Sequence, residues 1–375
     1  MNNAVICAYA RSPFTPANKG ELAKTRPDDL LAQVIKGLLA KSPINGVDVE
    51  DLMVGCAFPE GEQGLNIARM AVFLAGLPIT VGGVTVNRFC GSSMETIHMA
   101  AGKIAAGAGE LFIAAGVESM TRVPMGGFNP SPNEGLYMAM PGAYMSMGMT
   151  AENVCKKFNI PRAEQEKFTL ESHKKAAAAN LSEEIIPITI KGGTVTKDGC
   201  IRADTTLESM ATLAPAFDAN GTVTAATSSP VTDGASAVIV ASEAYADRMG
   251  LKKLARIKSM AVTGLEPEIM GMGPVEASRK ALKRAGLELK DMDIIELNEA
   301  FAVQAMAVVR ELGADMAKVN LEGGALALGH PLGASGARIT GKAAQLLAKH
   351  GKRYALAAMC IGGGQGIATV LEVVK

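Results

Sequence analysis

The chain has 375 residues and 48 % hydrophobic content, enough for two core-forming units and too apolar for a disordered polymer. Lys plus Arg and Asp plus Glu both number 37, so no net field draws it to nucleic acid or to an anionic membrane. The six cysteines (Cys7, Cys56, Cys90, Cys155, Cys200, Cys360) include no C-x-x-C pair, which argues against a metal site or a disulfide framework and for free thiols in a reducing compartment.

Residues 1–9 read as a strand and not as a charged, then apolar, secretion signal, so the cytoplasm is the expected address. The uncharged stretch 70–87 is interrupted by Gly76, Pro78, Gly82 and Gly83, which predicts loops and a buried strand and no membrane insertion. The segment Asn87-Arg88-Phe89-Cys90-Gly91-Ser92-Ser93 then hands a strand to a helix beginning near Gly91, and residues 111–115 read as a buried strand. Residues 118–231 read as an insertion, Gly-, Pro- and Met-rich over 121–150 and helical over about 162–179. Residues 233–240 read as the turn and strand that return from it. Further on, a strand at 294–297 leads into Asn298-Glu299-Ala300-Phe301, and Gly329-His330-Pro331-Leu332-Gly333 opens a second helix. A strand over 354–358 then precedes Cys360-Ile361-Gly362-Gly363-Gly364-Gln365-Gly366.

Sliding the chain by 243 positions aligns Asp48 with Asp291, Ala57-Phe58 with Ala300-Phe301, Ser92 with Ser335, and Ala114-Ala115 with Ala357-Ala358. The constant offset predicts a duplicated unit. The expected organisation is a first half formed by 1–117 and 232–255, an inserted lobe at 118–231, and a second half at 256–375. Alternating strands and helices predict an α/β layered architecture with helices covering mostly buried sheets.

Three segments carry candidate chemistry. Cys90 stands at a helix start, where free N–H groups and the dipole favour a thiolate; by composition alone a buried structural cysteine is the commoner role, which the small residues after it weaken, since a nucleophile must be approached. His330, in a glycine-rich turn, is either functional or a solvated loop residue, and its mirror position under the offset is Asn87, with which it could converge between the halves. Cys360 follows a strand and precedes a glycine run able to present N–H groups to an anion or simply to turn the chain. Asn298 can orient a water or cap a helix. The methionines of the lobe suit a pocket for variable apolar chains, or loop packing. His98, His173 and His350 read as bystanders on helix faces or ends.

The segments around Cys90, Asn298, His330 and Cys360, with Ser119-Met120 and Met147-Gly148 between them, closely resemble those of the thiolase family, over the span from Ala4 to the C-terminus. The resemblance implies the thiolase fold: two duplicated, mixed five-stranded sheets with covering helices, packed together, and an inserted loop lobe over the site. It implies cleavage of 3-ketoacyl-CoA by CoA, or the reverse condensation. Cys90 would be the acylated nucleophile and His330 the acceptor of its proton. Asn298 would hold a water, and Cys360 would be the second acid and base. The N–H groups of Cys90 and Gly362 would form an oxyanion site. By the same match Arg202 and Ser229 lie near bound CoA and Met147 near the acyl and pantetheine site. CoA is a substrate, and no metal or redox cofactor is required.

Biosynthetic members usually carry histidine before the lobe's Met-Gly, whereas Ser146 stands there, and the stretch between Glu118 and Met147 is shorter than their tetramer-building loop. Thr85-Val86-Asn87-Arg88 and Thr227-Ser228-Ser229 resemble the degradative branch. The expected protein is therefore a β-oxidation 3-ketoacyl-CoA thiolase and a homodimer, with a hydratase/dehydrogenase partner as seen among degradative members. The alternatives are a biosynthetic acetyl-CoA C-acetyltransferase and, more remotely, a non-catalytic acyl-CoA-binding protein.

Overall fold

Strand β1 (Ala4–Arg11) opens the chain in a computed structural model that describes residues 2–374. Met1, which the expected N-terminal strand includes, lies outside the described residues. Helix α1 (Pro27–Ala40), β2 (Asp51–Gly55), α2 (Ile67–Ala75), β3 (Gly82–Val86), α3 (Ser92–Ala105) and β4 (Leu111–Ser119) follow. The lobe then contributes α4 (Met147–Phe158) and α5 (Arg162–Ala178) before β5 (Thr232–Ser242) returns to the sheet. The later part runs β6 (Ala255–Gly264), α6 (Gly273–Ala285), β7 (Ile294–Leu297), α7 (Ala302–Leu312), α8 (Leu332–His350), β8 (Tyr354–Ile361) and β9 (Gln365–Glu372).

The first sheet has the order β3-β2-β4-β5-β1; β2 runs parallel to β3 and β4, and β5 is antiparallel to β4 and β1. The second repeats this as β7-β8-β9-β6, with β7 parallel to β8 and the other pairs antiparallel. Its fifth position is reduced to a single parallel bridge between Val319 and Ile295. One residue later the backbone leaves extended geometry, with Asn320 at φ +45°. The Asn320 side chain accepts from Leu297 N–H and donates to Leu297 C=O, both at 2.9 Å, so an amide replaces the next rung of the ladder. The two sheets also join edge to edge, through Val5 opposite Arg256 and Ile6 opposite Ala255.

Helices α1 and α2 cover the outer face of the first sheet, and α6, α7 and the lobe's α4 pack on the second. Between the sheets lie α3 and α8, packed together with both inner faces. Of the 19 residues of α8, 15 are buried, including Arg338 and Lys342. A central helix cannot hide charges in solvent, so they pair: Lys342 meets Glu184 and Glu322, Arg338 meets Glu296, and Arg11 meets Glu184 and Asp198. Gly336 permits the close crossing, because a Cβ there would stand 2.3 Å from the Met94 nitrogen.

The 243-residue spacing relates β2 to β7, α3 to α8 and β4 to β8, whereas α2 and α7 fall out of that register. The stretch 70–87 differs from expectation in two ways. Its start is the end of α2, and β3 is half-buried, as a strand with only one neighbour must be.

Candidate active site

Cys90 is presented by a turn that its own side chains tighten. Asn87 Oδ1 accepts from Phe89 N–H at 2.9 Å, and Ser92 Oγ accepts from Arg88 N–H at 2.9 Å while donating to Phe89 C=O at 2.6 Å. Phe89 is thereby held at φ +42°, a left-handed conformation unfavourable for an aromatic residue and found at sites that the surroundings over-determine. Cys90 follows, partly exposed, just before α3. Asn87 is exposed and its side chain is engaged in this turn, not with its mirror His330.

The thiol also departs from expectation. Burial pushes Cys90 up to about 12, outweighing the N–H of Gly362 and its own N–H, both of which reach the sulfur and favour the thiolate, while nearby Glu118 pushes it further up. A helix start lowers a thiol only where desolvation does not exceed the benefit. The resting group is a neutral thiol with two backbone donors beside it, one from each half of the chain.

His330 is buried, its N–H donated to Thr232 Oγ1 at 3.1 Å. Its Nδ1 lies 2.6 Å from Ser335 Oγ and its Nε2 lies 3.3 Å from Asn298 Nδ2. Burial, with Arg338 adding to it, drives the imidazole down to about 3, so it is neutral at physiological pH. Asn298 does not cap a helix, since α7 begins at Ala302 with Phe301 at its cap. Its Oδ1 is buried without a protein partner, as suits an amide that faces a small polar guest. Cys360 lies within β8 and not after it, opposite Gly366 in a hairpin turned by Gly362, Gly363 and Gly364, the last two at φ +77° and +79°. Its thiol is pushed well above the ordinary range by burial, and Cys90 beside it adds to the effect.

Cys90, His330 and Cys360 line one cavity of about 220 Å³, together with Met147 and Ser229. The lobe closes its other side: the segment around Ser229 is pinned to the second half by Ser229 N–H to Ala300 C=O and Ala302 N–H to Thr227 C=O, both at 2.9 Å. Arg202 stands apart, exposed beside a second, smaller cavity of about 80 Å³ that shares Ser228 and Pro230 with the first. The lobe methionines divide between both readings. Met120, Met125 and Met147 line the cavity, while Met138 and Met140 are exposed on the surface. The remaining histidines sit on helices away from this cavity: His98 meets Thr369 at 2.7 Å, and His173 accepts from Arg202 N–H at 3.1 Å. Among the described residues no group of three or more His, Cys, Asp or Glu is placed to hold a metal ion.

Three buried polar side chains that sequence reasoning missed hold the segments around these residues in place. Glu118 accepts N–H groups from Ala57, Phe58 and Gly333, and Gln63 Nε2 as well. Glu299 accepts from Ser172, Asn320 and Leu326 N–H, tying the lobe to the segments around Asn298 and His330. Ser335 contacts His330 directly. Only Ser335 carried a signal in the sequence, through its 243-residue match to Ser92.

Comparison with known proteins gives the same answer. The thiolase N-terminal domain matches residues 4–244 and the thiolase C-terminal domain residues 251–373. A 3-ketoacyl-CoA thiolase of Bacillus subtilis is 46 % identical over 390 residues, covering 100 % of both chains, and one of Vibrio vulnificus strain YJ016 is 48 % identical over 387 residues, covering 99 % of this chain and 100 % of the other. The crystal structure of human mitochondrial 3-ketoacyl-CoA thiolase superposes with TM-score 0.92 at 38 % identity, covering 100 % and 99 % of the two chains. A second structure of the human enzyme, in complex with CoA, gives 0.92 at 37 % identity, covering 100 % and 98 %. No helix among the described residues is long and apolar enough to cross a membrane. With both family domains present end to end, this chain belongs to the thiolase family and is an acyltransferase enzyme.

Proposed function

We propose that the chain cleaves 3-ketoacyl-CoA with CoA, giving acetyl-CoA and a shortened acyl-CoA in fatty-acid β-oxidation. The observation that carries this reading is the meeting of two cysteines and a neutral histidine in one apolar cavity. A thioesterase has no use for the second thiol.

His330 Nε2 takes the Cys90 proton as the sulfur attacks the 3-keto carbon. The adduct's oxyanion is met by the N–H groups of Cys90 and Gly362, each such donor contributing about 3 kcal/mol of transition-state stabilisation. Collapse breaks the bond between the 2- and 3-carbons, leaving acyl-Cys90 and an acetyl-CoA enolate. The enolate is held by the proton now on His330 and a water on Asn298, and Cys360 protonates it. The Cys360 thiolate then deprotonates the incoming CoA thiol, which attacks the acyl group, and the departing Cys90 sulfur takes back its proton from His330. The steps balance with no metal or redox cofactor, and CoA enters as a substrate.

Met147 and Ser229 border the pantetheine and acyl path in this reading, and Arg202, beside the adjoining cavity, meets a CoA phosphate. The active unit is a homodimer, in support of which β3 has an unpaired edge and Leu65, Phe73 and Ile79 are exposed nearby in the chain. A cytoplasmic location, a hydratase/dehydrogenase partner, and the division into 1–117 with 232–255, 118–231 and 256–375 belong to the same proposal. The test is CoA-dependent cleavage of acetoacetyl-CoA beside a long-chain 3-ketoacyl-CoA. Comparable or higher kcat/KM on the long chain supports the β-oxidation assignment; turnover confined to acetoacetyl-CoA overturns it for the biosynthetic one.

A further inference from the structure

Ser335 Oγ has two polar neighbours, the Pro331 carbonyl at 3.0 Å and His330 Nδ1 at 2.6 Å. A hydroxyl carries one hydrogen, so it donates to one of them and accepts from the other. The choice decides which imidazole nitrogen is bare. The internal repeat supplies a template in which the choice is unambiguous. Ser92, 243 positions earlier at the start of the matching helix, also bonds back to the turn before it. There the neighbours are a carbonyl, Phe89 C=O, which can only accept, and Arg88 N–H, which can only donate. The serine of this repeat therefore donates to the carbonyl of the preceding turn and accepts from an N–H.

We infer that Ser335 is a positioning residue that fixes the tautomer of His330, donating to Pro331 C=O and accepting from Nδ1–H, so that Nε2 is the bare nitrogen facing Asn298 Nδ2. A bare Nε2 can accept from Asn298 Nδ2, which stands 3.3 Å away. The inference deepens the thiolase reading, in which Nε2 must receive the Cys90 proton. A ring free to swap tautomers would spend part of its time with Nε2 already protonated and useless as a base. Ser335 is itself anchored in the first turn of buried helix α8, so the orientation is set by the packed middle layer and not by the lobe.

The test is long-range proton–nitrogen NMR of the full-length protein labelled with ¹⁵N-histidine. Four histidines are present, and a His330→Gln variant identifies the signal. The expected wild-type spectrum at pH 7 to 8 shows Nδ1 protonated and Nε2 bare. Ser335→Ala shifts the ring toward the Nε2–H form, and kcat for thiolysis falls by about 10- to 100-fold with KM little changed; Ser335→Thr, which keeps a hydroxyl, restores the wild-type pattern. A wild-type Nε2–H signal, or an unchanged tautomer in Ser335→Ala, overturns the inference. Absence of thiolysis from a wild-type protein with bare Nε2 would instead defeat the proposed reaction and leave the tautomer assignment standing.

Discussion

Glu118 on β4 accepts the backbone N–H of Gly333, at the start of α8, at 2.9 Å, joining the part of the chain that carries Cys90 to the part that carries His330 through a buried carboxylate. The same group satisfies Ala57 and Phe58. Removing it strands three N–H donors in a dry interface, so Glu118→Ala is expected to destabilise the protein by about 2 to 4 kcal/mol. Glu118→Gln, which keeps one acceptor oxygen, is expected to cost less. Urea denaturation checks both, and a change below about 0.5 kcal/mol for the alanine variant would contradict the role.

The high Cys90 thiol sets a pH prediction. Because only the thiolate is alkylated, the rate of Cys90 modification by iodoacetamide should rise about tenfold per pH unit from 6 to 9 with no plateau. Glu118→Gln removes a neighbouring charge that raises the thiol, and should alkylate faster at each pH. Peptide mass spectrometry assigns the modified cysteine. A plateau setting in below pH 7 would mean a preformed thiolate–imidazolium pair.

Glu296 supplies a stability prediction. Burial raises its carboxyl from 4.5 to about 7 in the folded protein, despite Arg338 beside it pulling the other way. The folded state thus binds a proton that the unfolded state has released, and this contribution is fully present below about 4.5 and lost as pH rises through about 7. Between pH 5 and 8 wild type should lose about 2 to 3 kcal/mol relative to Glu296→Gln, which has no proton to release. Parallel pH dependences would show that Glu296 is ionised throughout.

Cys360→Ala is expected to acylate Cys90 more slowly, because the enolate loses its proton donor, and to retain the acyl group after CoA is added, where wild type discharges it, since the incoming CoA thiol is no longer deprotonated. Intact-protein mass spectrometry reads the adduct, and wild-type turnover by this variant would remove Cys360 from the mechanism.

Local signals in the sequence located the elements around the site well. The strand Ile294–Leu297 ends where Asn298 begins, and the helices after Gly91 and near Gly333 follow their small-residue turns. The thiolase resemblance then assembled residues that pattern alone left ambiguous. Glu118, Glu299 and Asn320 were not legible, because their partners lie far away in sequence and a carboxylate or amide gives no local sign of burial. The Cys90 thiol was misjudged for a related reason: a helix start is visible in sequence, whereas desolvation is a property of everything packed around it. The end of the fifth strand of the second sheet at Asn320, where φ is +45° and the side chain bonds Leu297 as backbone would, leaves no mark in the periodicity.

In the proposed reaction Cys90 carries the acyl group between two CoA substrates. The most direct test is to mix the wild-type protein with a 3-ketoacyl-CoA in the absence of free CoA, quench, and map the adduct by peptide mass spectrometry. The expected result is the shortened acyl group on Cys90, its discharge as acyl-CoA when CoA is added, and no adduct in folded Cys90→Ser. An acyl group on another residue, or cleavage by CoA in the Cys90→Ser protein, would contradict it.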